Sequence, residues 1–166
     1  MLYKRIAKTH ASAAVILIRL MVGGVFLAEG IQKFIFPNEN GAGRFARIGI
    51  PSPEVMAPFV GAVEIVCGVL ILLGLVTRLA AIPLIVDMLV AILSTKIPIL
   101  LGYGFWGFSL RGLPYYGFWG MAHEARTDFS MLMGALFLLI VGAGRLSLDA
   151  RIWSNSSQQS AIDSRK

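Results

Sequence analysis

The sequence predicts an all-helical integral membrane protein, a bundle of four transmembrane helices with a long aromatic loop between the third and the fourth. The first observation is composition: of 166 residues, 57% are hydrophobic and only 14% are charged. Soluble globular domains contain about 45–50% apolar and about 25% charged residues, and one of this length has too little interior to hide so much apolar surface. The second observation is that the apolar residues form runs of about 20, the length that crosses a bilayer.

The same composition excludes three other classes of protein. The chain is too apolar for a disordered protein, and its single cysteine, Cys67, cannot build a disulfide scaffold or a CxxC redox pair. It also lacks an exposed basic face of the kind that binds nucleic acid. The formal net charge of +6 comes from Lys and Arg that lie mostly at the ends of the apolar runs. Such residues set membrane topology and contact anionic lipid headgroups, so the lipid bilayer is the predicted partner of the chain.

The first two spans are predicted at residues 13–36 and 57–76. The first run is too long for the core of a signal peptide and contains Arg19 and Glu29, so we interpret it as a retained helix. Pro37 ends it, and a polar segment rich in glycine and proline leads to the second span.

The third and fourth spans are predicted at residues 79–101 and 128–143. Pro83 and Pro98 are expected to kink the third helix or to end it early, which a membrane helix tolerates when its neighbours satisfy the freed carbonyls. Glycines close the fourth span.

The four spans form one domain and place both termini on the same face. We predict a single transmembrane domain over residues 1–153 and a polar, mobile tail, rich in Ser and Gln, over residues 154–166. Lys and Arg are almost evenly divided between the two faces, but the cluster of Lys4, Arg5 and Lys8 favours cytoplasmic termini.

The connection between the third and fourth spans, residues 102–127, is rich in aromatic side chains. It contains the sequence Gly-Phe-Trp-Gly twice, around Trp106 and around Trp119. One interpretation is an aromatic belt at the level of the lipid headgroups. The other is a lid at the entrance to a site for a flat apolar ligand such as a quinone, on which these two indole rings would stack.

Five charged residues lie inside the predicted spans, where a central Arg, Lys or Asp costs about 2.5–3.5 kcal/mol. They are Arg19, Glu29, Lys33, Glu64 and Asp87. At 100° per residue, the three charges of the first span fall in one quadrant, and Glu29 and Lys33 form an i,i+4 pair. Glu64 and Asp87 lie on faces of small residues that permit close helix contact. We therefore expect the five charges to face a shared interior.

These intramembrane charges have two interpretations. In one, they are buried ion pairs that fix the register of the helices and perform no chemistry. In the other, Glu64 and Asp87 donate or accept protons beside a redox ligand, while Arg19, Glu29 and Lys33 bind it.

His123 is a third candidate for proton transfer, because it lies beside Glu124 at the membrane surface, just before the fourth span. The alternative is that this segment is a solvated helix start. His10 and His123 are the two histidines of the chain and fall on opposite faces of the predicted topology. No metal site is therefore expected, nor a haem held by two histidines.

Three segments of the sequence resemble the DoxX family. The first is residues 19–33, RLMVGGVFLAEGIQK, and the second is residues 61–78, which contain a Gly-x-x-Glu motif, repeated glycines and a terminal Arg78. The third is residues 142–149, GAGRLSLD, which is similar to the Gly-x-Gly-x-x-Ser-x-Asp close of that family. The resemblance extends over residues 19–149.

This resemblance implies a small, four-helix, multi-pass protein of the bacterial inner membrane. The family takes its name from a small subunit of a quinone-linked oxidoreductase, and other members accompany membrane redox or oxidative-stress partners. The candidate site residues that the resemblance carries over are Arg19, Glu29, Lys33, Glu64 and Arg78.

The sequence favours two functions over a third, a small-molecule or proton-coupled carrier, which the small helix count and the lack of an evident inverted repeat disfavour. The first is a membrane subunit of a quinone-linked redox complex, which binds a quinone or a similar apolar ligand among the intramembrane charges. Its electrons would come from a partner, because the sequence has no visible flavin, haem or cluster motif. The expected protein partner is a membrane or periplasmic redox protein or a further copy of the chain in a homo-oligomer. The second is a non-catalytic membrane anchor or assembly factor for a partner enzyme. The sequence does not decide whether the chain is itself an enzyme or an accessory subunit of an oxidoreductase.

Overall fold

The computed structural model describes residues 12–152. The basic N-terminal cluster, His10 and the predicted C-terminal tail lie outside the described residues. Within residues 12–152 all the regular secondary structure is helical, apart from one isolated antiparallel bridge between Phe105 and Phe108. The prediction of an all-helical chain is confirmed for this part of the protein.

Six α-helices and one π-helical turn follow one another over residues 15–141, and a further helical segment begins at residue 148. The six helices and the turn are α1 (Val15–Ile35), α2 (Ala42–Ile48), α3 (Pro53–Leu73), α4 (Thr77–Ala91), the π-helical turn (Ile92–Lys96), α5 (Ile97–Leu101) and α6 (Phe118–Val141). The helix α1 packs mainly on α3, and α4 packs mainly on α6. The short α2 lies against α3.

Three segments within residues 12–152 are long and apolar enough to cross a membrane: Val15–Ile35, Pro53–Leu73 and Thr77–Leu101. They correspond to the first three predicted spans. The third consists of α4, the π-helical turn and α5, which are continuous. Because their outward faces keep large exposed apolar side chains, such as Leu17, Val66 and Val86, these helices suit contact with lipid.

The fourth predicted span differs most from the structure. The helix α6 begins at Phe118, well before residue 128, so the aromatic connection is shorter than predicted and covers residues 102–117. Its N-terminal half carries Glu124, Arg126 and Asp128, and α6 is not among the three segments that are apolar enough to span. A fourth transmembrane crossing, and with it a four-helix membrane bundle, therefore stays a prediction.

The ends of α3 show why its bounds differ from the predicted second span. Pro53 can begin the helix because the first turn needs no backbone donor at that position. Gly74 ends it in the left-handed conformation, with φ 67°, and the amide of Leu75 donates to the carbonyl of Leu70 at 2.9 Å. The chain turns at once into α4, so α3 and α4 form a tight helical hairpin.

Glycines allow α1 and α3 to pack closely. A Cβ atom at Gly23 would lie 2.9 Å from the carbonyl oxygen of Gly68, and one at Gly30 would lie 2.7 Å from that of Gly61. No side chain fits in these two places, so the backbones of the two helices are in direct contact. This contact fixes the register at which Lys33 of α1 meets Glu64 of α3.

Candidate functional site

A cavity of about 350 Å³ lies among α1, α3, α4 and α6, and we call it the inner cavity. Much of its wall is apolar and includes Phe26, Phe45, Ile48, Val60, Met88 and Met131. Its charged residues include Glu29, Lys33, Glu64, Asp87, Lys96 and Asp128. The volume is in the range of small-molecule sites, but the wall carries more charged groups than the few that are typical of them.

Lys33, Glu64 and Asp87 form a charged cluster in the wall of the inner cavity. The Nζ atom of Lys33 lies 2.6 Å from Oε2 of Glu64, and both side chains are nearly inaccessible to solvent. Glu64 and Asp87 line the same cavity and their carboxyl groups interact electrostatically. The Oδ2 atom of Asp87 is buried and has no hydrogen-bond partner among the described residues. Three of the predicted site residues therefore come together from three different helices.

Lys33 does not form the ion pair that the sequence suggests. The i,i+4 spacing favours a pair between Glu29 and Lys33, but the close approach of α1 and α3 brings Glu64 to the lysine instead. Glu29 also lines the inner cavity and forms no ion pair with any of residues 12–152. The wall of the cavity thus contains three ion pairs, Lys33 with Glu64, Lys96 with Asp128 and Arg111 with Glu124. It also contains two carboxyl groups, those of Glu29 and Asp87, that form no ion pair with the described residues.

Arg19 is buried but lies far from this cluster. It is 14 residues before Lys33, which is about 21 Å along a helix axis. Angular position alone suggests one shared site, whereas the axial separation places the two residues at opposite ends of α1. The guanidinium donates to the carbonyls of Ile71 at 2.8 Å and Ala143 at 3.3 Å, and also to those of Leu72 and Leu146. Arg19 therefore joins the end of α3 to the segment after α6 and does not reach the inner cavity.

Arg78 and Asp149 lie at the same end of the molecule, and we call Arg19, Arg78 and Asp149 the Arg19 network. Arg78 donates to the carbonyl of Ile140 at 3.1 Å, at the end of α6. Asp149 accepts the amides of Val76 at 2.9 Å and Thr77 at 3.2 Å, where α4 begins. Arg78 was a predicted ligand-binding residue, but its visible contacts are those of a group that holds helix ends together.

The exposed residues of the predicted lid also lie away from the inner cavity. Trp106 is 83% exposed and Trp119 is 77% exposed, and neither lines the cavity. His123 is exposed as well and lines a smaller cavity of about 220 Å³ together with Glu124. The structure does not bring these three predicted residues to the charged cluster.

A second cavity of about 620 Å³, the outer cavity, adjoins the inner one. The two share part of their walls, including Asn40, Arg44, Thr95, Lys96 and Arg111. These residues come from the segment around α2, the π-helical turn and the loop over residues 102–117. The outer cavity therefore lies at the end of the molecule opposite the Arg19 network.

Comparison with known proteins identifies the family. The model of the DoxX family matches residues 14–97, half of the chain. The chain belongs to the DoxX family. It is 54% identical over 150 residues to "Uncharacterized membrane protein Rv3486" of Mycobacterium tuberculosis (strain ATCC 25618 / H37Rv), a match that covers 90% of this chain and 88% of the relative. It is 28% identical over 134 residues to "Putative oxidoreductase CatD" of Bacillus subtilis (strain 168), with 81% of this chain and 83% of the relative covered. No solved structure matches the chain.

The DoxX match contains the whole charged cluster but not the contribution of α6 to the inner cavity. Lys33, Glu64 and Asp87 fall within residues 14–97, as does Lys96. Asp128, whose Oδ2 atom lies 3.0 Å from Nζ of Lys96, falls outside them. The inner cavity thus combines a wall from the matched DoxX region with two charged side chains of α6, Glu124 and Asp128.

Sequence reasoning missed the pair of Lys96 and Asp128. Lys96 is only 6% exposed because the π-helical turn Ile92–Lys96 changes the face on which the residues after it lie. The signal for this turn was Pro98, which lacks a backbone donor and whose ring clashes with the carbonyl four residues earlier. The predicted kink is therefore a widened turn, and α4 continues through Pro83 as far as Ala91.

Proposed function

We propose that this DoxX protein is the membrane subunit of a quinone-linked redox system of the bacterial inner membrane, and that its inner cavity binds the quinone ring. The observation that carries the proposal is the Lys33, Glu64 and Asp87 cluster in the wall of a cavity of about 350 Å³ that combines apolar with charged side chains. Its relative from B. subtilis is named an oxidoreductase, which agrees with this reading.

The residues that line the inner cavity fit a quinone ring in both polarity and shape. Phe26, Phe45 and Met88 provide apolar surface for the faces of the ring, since aromatic and thioether groups pack well against flat rings. The ammonium group of Lys33 is a hydrogen-bond donor for a ring carbonyl of the quinone. Asp87 Oδ2, a buried acceptor without a partner in the described chain, would accept a hydrogen bond from a hydroxyl of the quinol.

When bound, a quinone takes up two electrons and two protons and becomes a quinol. The protein residues would hold and move those protons. Glu64 and Asp87 line the same cavity as two carboxyl groups that would supply and accept those protons. Lys33 orients Glu64 through their ion pair. The electrons would come from a partner protein, as the sequence analysis predicts.

The test is to purify the full chain in mild detergent, extract it with organic solvent and measure the quinone retained per chain. We expect the wild type to retain quinone, and Lys33→Met and Asp87→Asn to retain about tenfold less or lower still, since a hydrogen bond to a charged group contributes about 1.5–3 kcal/mol. The matched control is Glu54→Gln, which removes an exposed carboxylate from the first turn of α3, outside the cavity.

Two results would contradict this proposal. One is that the wild type purifies without quinone and that an added short-chain quinone leaves its melting temperature unchanged. The other is that Lys33→Met and Asp87→Asn retain as much quinone as Glu54→Gln does. Melting temperatures of all variants show whether a loss of quinone comes from unfolding.

A second candidate function is a non-catalytic membrane anchor for a partner enzyme. The observation that favours it is the exposure of Trp106 and Trp119, which are free to contact lipid headgroups or another protein. If this is the function, Trp106→Ala together with Trp119→Ala would lower the amount of a co-purifying enzyme, while Lys33→Met would not.

A further inference from the structure

The outer cavity has a strongly basic wall. It is lined by Arg44, Arg47, Lys96 and Arg111, with Glu39 as the one acidic residue of the wall. We infer from this arrangement that the outer cavity is a binding site for an anion with carboxylate or phosphate oxygens, held mainly by Arg44 and Arg47. This inference does not rest on the proposed quinone site.

Two of the four basic residues already have acidic partners. Lys96 lies 3.0 Å from Asp128, and an Nη atom of Arg111 lies 3.2 Å from Glu124. Their charges are largely balanced within the protein. They contribute to the local potential but are not the groups that lack a counter-charge.

The other two basic residues, Arg44 and Arg47, have no acidic partner within residues 12–152. Arg47 is exposed and donates to the backbone carbonyl of Glu39 at 3.3 Å. Arg44 is half-buried, and its guanidinium has no hydrogen bond or ion pair with any of these residues. A guanidinium has five N–H donors, and burying it without partners is costly. Arg44 lines both cavities, so it lies where the two cavities meet.

The distribution of charge favours an anion at this place and not deeper in the protein. The planar guanidinium matches the geometry of carboxylate and phosphate oxygens, and two neighbouring arginines bind such groups by several parallel hydrogen bonds. In the inner cavity, Glu29 and Asp87 lack basic partners in the described chain, so an anion there would meet negative charge. The anion is therefore held in the outer cavity, beside Arg44.

An anion with these oxygens has two sources: a free anion from water, or the phosphate of an acidic lipid headgroup. The experiment uses the full chain in two kinds of lipid nanodisc. In discs of phosphatidylcholine, binding of radiolabelled inorganic phosphate is measured by equilibrium dialysis at constant ionic strength. In discs made from equal amounts of phosphatidylcholine and phosphatidylglycerol, the lipid that stays with the protein after detergent extraction is quantified.

The variants are Arg44→Gln and Arg47→Gln, with Arg126→Gln as the matched control, because Arg126 is exposed, lines neither cavity and donates to the carbonyl of His123. We expect Arg44→Gln to weaken binding about tenfold or more, Arg47→Gln to weaken it less, and Arg126→Gln to leave it unchanged. Arg44→Lys keeps the charge but loses the planar fork, so we expect intermediate binding.

Saturable phosphate binding in the phosphatidylcholine discs that depends on Arg44 would support a site for a free anion. Enrichment of phosphatidylglycerol that depends on Arg44, without phosphate binding, would support the same site with a lipid headgroup in it. The inference is overturned if neither anion binds, or if Arg44→Gln and Arg126→Gln behave alike. Retained quinone and melting temperature are read on the same samples, so a failure of this site is separate from a failure of the proposed function.

Discussion

Replacing Gly30 by alanine tests whether direct backbone contact between α1 and α3 positions the charged cluster. A Cβ atom at this position would lie 2.7 Å from the carbonyl oxygen of Gly61, and ordinary contact begins at 3.4 Å. The two helices would have to separate by about 0.7 Å, because the obstructing atom belongs to the backbone and cannot rotate away. Overpacking of this kind costs about 1–3 kcal/mol. The same replacement improves helix propensity by about 1 kcal/mol, so the expected net loss is about 0–2 kcal/mol.

The matched control is Gly24→Ala on the same helix, where a Cβ atom would meet nothing within 4 Å. This variant gains the helix propensity without the clash, so the two variants should differ by the cost of the clash, about 1–3 kcal/mol. At about 2–4 °C per kcal/mol for a chain of this size, their melting temperatures in detergent should differ by about 2–12 °C. We also expect Gly30→Ala to retain less quinone, because Glu64 moves away from Lys33.

Equal melting temperatures for Gly30→Ala and Gly24→Ala would refute this reasoning. They would mean that α1 and α3 are not held at the separation that the structure shows. If Gly30→Ala has a lower melting temperature than Gly24→Ala but retains the same amount of quinone, only the link between the helix separation and the charged cluster is refuted.

Three other predictions concern residues outside the glycine contact. Asp149→Ala removes the acceptor for two amides at the start of α4, and should lower the free energy of unfolding by about 1–2 kcal/mol, measured by thermal denaturation. Lys96→Met leaves the carboxylate of Asp128 without its partner at 3.0 Å and should cost about 1–3 kcal/mol, whereas the double variant Lys96→Met with Asp128→Leu should recover part of that loss. Trp106→Ala with Trp119→Ala should leave retained quinone unchanged, because neither ring lines the inner cavity.

Each of these three predictions has a clear opposite result. If Asp149→Ala melts like the wild type, its two amide contacts do not stabilise the start of α4. If the double variant at residues 96 and 128 is no more stable than Lys96→Met, the loss comes from packing and not from an unpaired carboxylate. If the two tryptophan replacements lower retained quinone, the aromatic loop is part of the binding site.

The membrane character of the chain was predictable because it depends on composition and on the length of apolar runs. Three of the spans follow from these alone. The start of α6 could not be predicted from the sequence, because the segment from Phe118 to Asp128 mixes aromatic, charged and small residues without a clear apolar period. Only its packing against α4, α5 and the π-helical turn makes it helical, and such tertiary contacts are not visible in the sequence.

The candidate site could likewise be predicted in part from the sequence. Helical geometry correctly selects Lys33, Glu64 and Asp87 as charges that face the interior, because a charge in an apolar span must avoid lipid. The same geometry gives no information on depth, so Arg19 was grouped with residues about 21 Å away along the axis of α1. The partner of Lys33 depends on how closely two glycine faces approach, and that distance is a property of the assembled helices.

The Arg19 network makes one end of the molecule different from the other. At that end, Arg19 and Asp149 are each only 2% exposed, and their hydrogen bonds tie the turn between α3 and α4 to the chain that follows α6. The two joined cavities lie toward the other end. The two ends of the molecule therefore differ, and each of the two aqueous compartments faces a different end. The compartment that faces the outer cavity is the one whose solutes and protons lie nearest to Glu64, and reversing the insertion of the protein would exchange that compartment for the other.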